Sequence, residues 1–334
     1  MRQYSGSMNS LLLRAITICI LCAGIVLNAE EDSVLDRQLE GIAAAHHGKV
    51  TLFARNLKTG QTASRLPDEL VQTASVIKLG VLLDAAEQIR MGKASLDEKV
   101  VLTKANQVGG SGVLGVLDAP LELTLRDTLT LMVVVSDNTA TNVNIDRLGL
   151  AHINATIEAA GLKDTYLYKK VMVPATGPMP ADQPKFGLGK TTAREMESLM
   201  ERIATCRLSL NGSAPLPGDA KICAAMLHML RNQQDRNSLP RYVETLDTSE
   251  RGSAIGNKTG ALNAVRNDVA LIATKAGPVV IAAFTQENKD QRWTGDNEAE
   301  QTLGKIGKAI LDRWSPAGLD PDSIDWDGTG EKSK

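Results

Sequence analysis

The sequence predicts a mixed α/β protein, α+β in arrangement. One antiparallel sheet is drawn from both ends of the mature chain, with helices on its faces and an all-helical unit inserted between. Three observations carry this reading. Strand-like runs occur early, within 50–66, and late, within 254–286. The stretch between them has helical periodicity. With 334 residues and 43% hydrophobic content, the chain can bury a sizeable core.

The elements follow in order. Ser33 to His47 places Val34, Leu35, Leu39, Ile42 and Ala43 at helical spacing. Val50 to Ala54 is a strand, Lys58-Thr59-Gly60 a turn, and Thr62 to Leu66 the returning strand. Val76 to Arg90 reads as a strongly apolar helix. Helices are also expected at Thr124–Val135, Asn138–Leu148 and Ile153–Ala160. Thr192, with Glu195 three residues on, has the form of a capping box that opens another helix. Ile222 to Arg231 is the last helix before strands at Ala254–Ala261, Val265–Thr274 and Val279–Gln286, and Glu298 to Trp314 closes as a helix. The expected division is a signal at 1–29, a sheet domain from 30–70 and 221–314, a helical domain at 71–220, and a loose polar tail at 315–334.

Composition excludes several function classes. A net charge of -2 gives no reason to expect nucleic acid or an anionic membrane as partner. Aromatics at 3% provide no stacking platform for bases. The histidines His46, His47, His152 and His228 form no metal-ligand pattern, so neither metal nor cofactor is expected. Arg2 and Arg14 precede an apolar run from Ala15 to Leu27, too short to span a bilayer comfortably, and Leu27-Asn28-Ala29 offers a cleavage site before Glu30-Glu31-Asp32. This reads as a secretory signal, giving a secreted or periplasmic protein that is free of the membrane after cleavage. Cys19 and Cys22 leave with it. Cys206 and Cys223 remain, either as one disulfide or as two buried thiols.

Three motifs carry the chemistry: Ser75-Val76-Ile77-Lys78, Ser136-Asp137-Asn138 and Lys258-Thr259-Gly260. Ser75 sits where an apolar helix begins, a place that exposes backbone N–H groups and favours developing negative charge. Lys78 is one turn on, among Val76, Ile77, Leu79, Val81, Leu82 and Leu83. Burial there lowers a lysine pKa and makes it a candidate base for the serine proton. Lys258 to Ala261 lies on a predicted strand whose exposed edge can pair with a peptide-like substrate. Lys258 brings positive charge, Thr259 a hydroxyl for a carboxylate, and Gly260 clearance. The N–H groups of Ser75 and Ala261 are the candidate oxyanion hole. Arg266, opening the next strand, is a candidate carboxylate contact or an ordinary surface residue.

S-x-x-K, S-D-N and K-T-G in this order resemble the class A serine β-lactamase family, within the penicillin-recognising serine hydrolases. Leu96-Asp97-Glu98-Lys99-Val100 and Ser136-Asp137-Asn138-Thr139-Ala140-Thr141-Asn142 also resemble family text. The resemblance implies a β-lactamase/transpeptidase-like fold with its site in the groove between the sheet and the helical unit. It implies that Ser136 relays a proton to the leaving nitrogen, and that Asn138 binds the substrate amide and the catalytic lysine. Asp137 is expected to bond nearby backbone. The implied partner is a small-molecule β-lactam or peptide-like acyl substrate, and a monomer is expected.

One family feature is missing. Class A enzymes activate the deacylating water with a glutamate on a loop flooring the site. The corresponding loop, about Lys169 to Gly189, contains Pro174, Pro178, Pro180 and Pro184 but no glutamate, and none occurs between Glu158 and Glu195. Asp182 is the only carboxylate in the loop proper, with Asp164 before it. It is therefore the candidate substitute base, or else a solvated loop residue. Three functions compete: a β-lactamase with slow deacylation, a penicillin-binding-protein-like D-alanyl-D-alanine peptidase or other amide or ester hydrolase, and a non-enzymatic sensor that stays acylated.

Overall fold

The computed structural model describes residues 33–210, 213–243 and 252–328. The signal read at 1–29 lies outside the described residues. Among those described, no helix is long and apolar enough to cross a membrane.

A five-stranded antiparallel sheet has the order β2-β1-β10-β9-β8. It joins β1 (Lys49–Asn56) and β2 (Thr62–Arg65) from the early chain to β8 (Ile255–Leu262), β9 (Val265–Ile272) and β10 (Val279–Gln286) from the late chain. β10 is a continuous apolar run from Val279 to Phe284 because both of its faces are covered. Along β10, Val279, Ile281 and Ala283 join one core while Val280, Ala282 and Phe284 join the other, the period-two alternation of a strand. The first core is closed by α1 (Ser33–Ala44) and α9 (Glu298–Trp314), which pack on each other through Leu35, Leu39, Leu303, Ile306 and Ile310.

The other face meets the helical unit. Its central helix is α2 (Lys78–Arg90), ringed by α3 (Leu125–Val134), α4 (Asn138–Leu148), α5 (Leu150–Ala159) and α8 (Asp219–Arg231). Thr124 caps α3 reciprocally with Asp127. The box expected at Thr192 is only half formed. Thr192 accepts the Glu195 N–H, but the Glu195 carboxylate turns away and accepts the Asp164 N–H and the Thr165 hydroxyl, tying the helix to the preceding loop. A short sheet of β3 (Val71–Gln72), β7 (Gly189–Thr191) and β6 (Tyr166–Leu167) closes that loop at its base.

Two expected boundaries move. The helix begun at Thr192, α7 (Ala193–Ala204), packs against β1, β9 and β10, so it belongs to the sheet rather than to the inserted helical unit. Met196, Leu199 and Met200 supply the apolar face that does this. The tail from Ser315 is not loose as far as residue 328. Trp326 is 2% exposed and donates its indole N–H to Pro321 O at 3.0 Å. Its ring fills the space beside Gly256, where a Cβ would come within 2.8 Å of it. The indole, with Asp320 N donating to Ala273 O at 3.0 Å and Asp327 paired with His228 at 2.7 Å, anchors a segment whose composition otherwise looks solvated. Cys206 and Cys223 form a disulfide, Cα–Cα 5.6 Å, tying the chain just after α7 to α8.

Candidate active site

Ser75 lies in a 3-10 turn, Ala74–Ile77, that leads directly into α2 at Lys78. In a 3-10 turn residues i and i+3 are eclipsed, so Ser75 and Lys78 share a face. Ala74 is held at φ 44°, a strained conformation that sets up the turn ahead of the serine. Asn267 on β9 braces the turn by donating to Gln72 O at 2.9 Å and Thr73 O at 3.1 Å.

Lys78 is fully buried. Its Nζ lies 2.7 Å from Ser136 O, 3.0 Å from Ser136 Oγ and 3.0 Å from Asn138 Oδ1. Burial, and then the nearby charge of Lys258, hold its amine well below the ordinary lysine range, opposed by Asp137. Lys258, also fully buried, donates to Ser136 Oγ at 3.1 Å and to Thr259 O at 2.8 Å. Burial pushes it down to about 8, against the pull of Asp235 and Asp268. The Ser136 hydroxyl therefore sits between two amines from different parts of the chain.

Ser136 has φ 53° and lies between α3 and α4. Asp137 holds that corner. Its Oδ1 accepts the Ala140 N–H, and its Oδ2 accepts those of Val113 and Leu114. The facing loop reaches it because Gly112 has no side chain; a Cβ there would come within 2.3 Å of the carboxylate. Asn138 Nδ2 donates to Gly109 O at 3.1 Å, so this amide bridges Lys78 and the loop.

β8 is the edge strand of the sheet, and Thr259, Gly260 and Ala261 line a cleft of about 460 Å³ together with Ser75, Ser111 and Ser136. Gly260 abuts the serine turn. A Cβ there would come within 2.9 Å of Ser75 N and Thr73 O and 3.0 Å of Val76 N. Only glycine allows this strand so near Ser75.

Arg266 and Asp182 are engaged elsewhere. Arg266 is 3% exposed, which removes the surface reading. Its Nη1 donates to Leu262 O and Val265 O, its Nη2 donates to Arg292 O at 2.7 Å, and its Nε meets Glu300 Oε1 at 3.1 Å. It borders the cleft but spends most of its donors on the protein. Asp182 precedes the short helix α6 (Gln183–Phe186), and its Oδ2 accepts from Lys190 Nζ at 2.8 Å. Lys190, together with Tyr168, holds the carboxyl below the ordinary range, and Asp182 is not among the residues lining the cleft.

Sequence reasoning passed over other parts of the site. Asn142 clamps the loop that lacks a glutamate, with Nδ2 donating to Val171 O and Oδ1 accepting the Val171 N–H. Gln233 to Asp235 and Trp293 to Gly295 complete the cleft walls. Trp293, an aromatic in an otherwise polar stretch, is the one of these with a visible signal.

The beta-lactamase enzyme family matches residues 34–314. The chain belongs to the beta-lactamase enzyme family. A beta-lactamase from Sphaerobacter thermophilus DSM 20745 is 30% identical, covers 83% of this chain and 95% of its own, and superposes with a TM-score of 0.69. A mutant of PBP-A in an acyl-enzyme complex with penicillin-G is 20% identical over 85% of this chain and 98% of its own, TM-score 0.67. An ancestral class A beta-lactamase is 20% identical over 83% and 99%, TM-score 0.66. The last two speak to the fold alone. Among curated proteins none matches the chain significantly. A beta-lactamase-family serine hydrolase with a mixed α/β fold is thus the level at which the chain is placed.

Proposed function

We propose that the protein opens β-lactam amides through an acyl-enzyme on Ser75, with class A-type acylation and slow deacylation. The observation that carries this is the Ser136 hydroxyl, 3.0 Å from Lys78 Nζ and 3.1 Å from Lys258 Nζ. In this reading Lys78 Nζ takes the Ser75 Oγ proton as Oγ attacks the carbonyl carbon. The oxyanion forms against the N–H groups of Ser75 and Ala261. The C–N bond breaks as Ser136 passes its proton to the leaving nitrogen, and Lys78 returns a proton to Ser136. The product is a Ser75 ester with a free amine.

Hydrolysis of that ester needs a water and a base. The Lys169–Gly189 loop supplies no glutamate, and its one aspartate is bound to Lys190. Loss of a general base costs about 10²–10⁴-fold, or roughly 3–5 kcal/mol of barrier. A chromogenic cephalosporin in stopped flow is therefore expected to give a burst of one equivalent followed by slow turnover. Asp182→Asn should change neither phase more than about twofold, the scale of a residue outside the reacting atoms. Fast linear turnover without a burst would show that an unrecognised base serves deacylation. The missing glutamate also supports a second reading, a penicillin-binding-protein-like peptidase or an acyl sensor. Turnover of D-alanyl-D-alanine peptides would select the former, and a burst with no turnover of either substrate the latter. We propose that the mature protein lies outside the cytoplasm as a monomer, the first part resting on the secretory signal read from Arg2 to Ala29.

A further inference from the structure

Of the three tryptophans, Trp314 and Trp326 are 6% and 2% exposed, whereas Trp293 is 65% exposed. Its exposure does not come from a loose loop. The Arg266 guanidinium lies 4.6 Å from the ring centroid, and its Nη2 donates to the carbonyl of the preceding residue, Arg292, at 2.7 Å. Asn297 Nδ2 donates to the same carbonyl at 2.9 Å while its Oδ1 caps α9. The indole N–H donates to Asn263 Oδ1 at 3.3 Å. Glu300 on α9 holds Arg266 from behind and accepts the Ser238 hydroxyl. A large apolar side chain is thus kept in a fixed position with much of its surface in water.

That surface belongs to the cleft. Trp293, Thr294 and Gly295 line the same cavity as Ser75, Ser136 and Thr259. The cavity continues along Val134 and Val135, immediately before Ser136, and along Gln233 to Asp235. Trp293 and Ser136 border one cavity, and in the reaction proposed above Ser136 faces the leaving nitrogen, so the group that the substrate carries on that side is the one assigned here to Trp293. Arg266 cannot itself be the main anchor there, because its donors go to Leu262, Val265, Arg292 and Glu300.

We propose that Trp293 is a specificity-determining residue, a stacking platform for a planar aromatic group on the leaving-nitrogen side of the substrate, with Arg266 as the positioning residue that holds it. The proposal rests on the β-lactam-opening reading. Indole offers a broad face to another ring, and such pairs favour an aromatic partner over an aliphatic one.

The test uses two cephalosporins with one shared acyl side chain, one with methyl at C3 and the other with a styryl group, neither of which is expelled. The second-order rate of acylation is read by intact mass for wild type, Trp293→Ala and Trp293→Phe. Trp293→Ala should lower the styryl rate by about 3–10-fold more than the methyl rate, the scale of one aromatic pair. Trp293→Phe should keep most of the preference. Equal losses on both substrates would assign Trp293 a merely structural role, and no change on either would remove it from recognition. Both results overturn the proposal and leave the acylation reading intact. If neither compound acylates the wild-type protein, the acylation reading fails and takes this proposal with it.

Discussion

Lys78→Ala should slow acylation of Ser75 by about 10²–10⁴-fold, the usual cost of losing a positioned base. The amine is fully buried, on the same face as Ser75 and bonded to both Ser136 and Asn138. In the proposed reaction it acts on both proton transfers of acylation, the removal from Ser75 and the resupply of Ser136. The same geometry sets the pH dependence. Burial lowers the Lys78 pKa, so its lone pair is freed at a lower pH than in an ordinary lysine, and acylation should fall on the acid side as the amine is protonated. Lys258 is held down to about 8, so its positive charge, and with it binding of an anionic substrate, should decline as pH rises through that value. The acylation rate constant of wild type across this range should be bell-shaped, and Lys78→Ala should lose the acid limb. An acid limb retained in Lys78→Ala would assign it to another group.

Gly260→Val should cost about 10²–10³-fold in acylation, comparable to removing an oxyanion-hole donor. The new Cβ would lie 2.9 Å from Ser75 N and from Thr73 O, both backbone atoms. The turn has little room to retreat, because Asn267 bonds Thr73 O and Gln72 O from the sheet side. Either β8 moves out or the Ser75 N–H tilts, and each misplaces half of the oxyanion pair. Acylation rates measured beside circular dichroism would separate this from unfolding. A folded Gly260→Val protein that acylates at the wild-type rate would mean that the strand and the turn do not cooperate.

Much of this was legible in the sequence, for physical reasons. The sheet was readable in part because its central strand β10 is buried on both faces and so appears as an unbroken apolar run from Val279 to Phe284. The motifs were readable because their chemistry needs fixed residue types at fixed spacing. Contacts made across the fold were harder to see. Arg266 looks like any strand arginine until Glu300, 34 positions later, is placed against it. The docking of Trp326 depends on the gap left by Gly256 on a distant strand. The assignment of α7 to the sheet depends on which apolar face the helix meets, which periodicity alone does not specify. The clamp of Asn142 on Val171 lay inside a motif already noted, yet no local pattern marks its partner.

The central claim is that Ser75 carries the acyl group. Incubating the mature protein with a penicillin, quenching, and mapping the adduct by peptide mass tests it most directly. One equivalent per chain is expected, located on the peptide that contains Ser75 and absent from Ser75→Ala. An adduct that persists in Ser75→Ala, or that maps to any other residue, would contradict it.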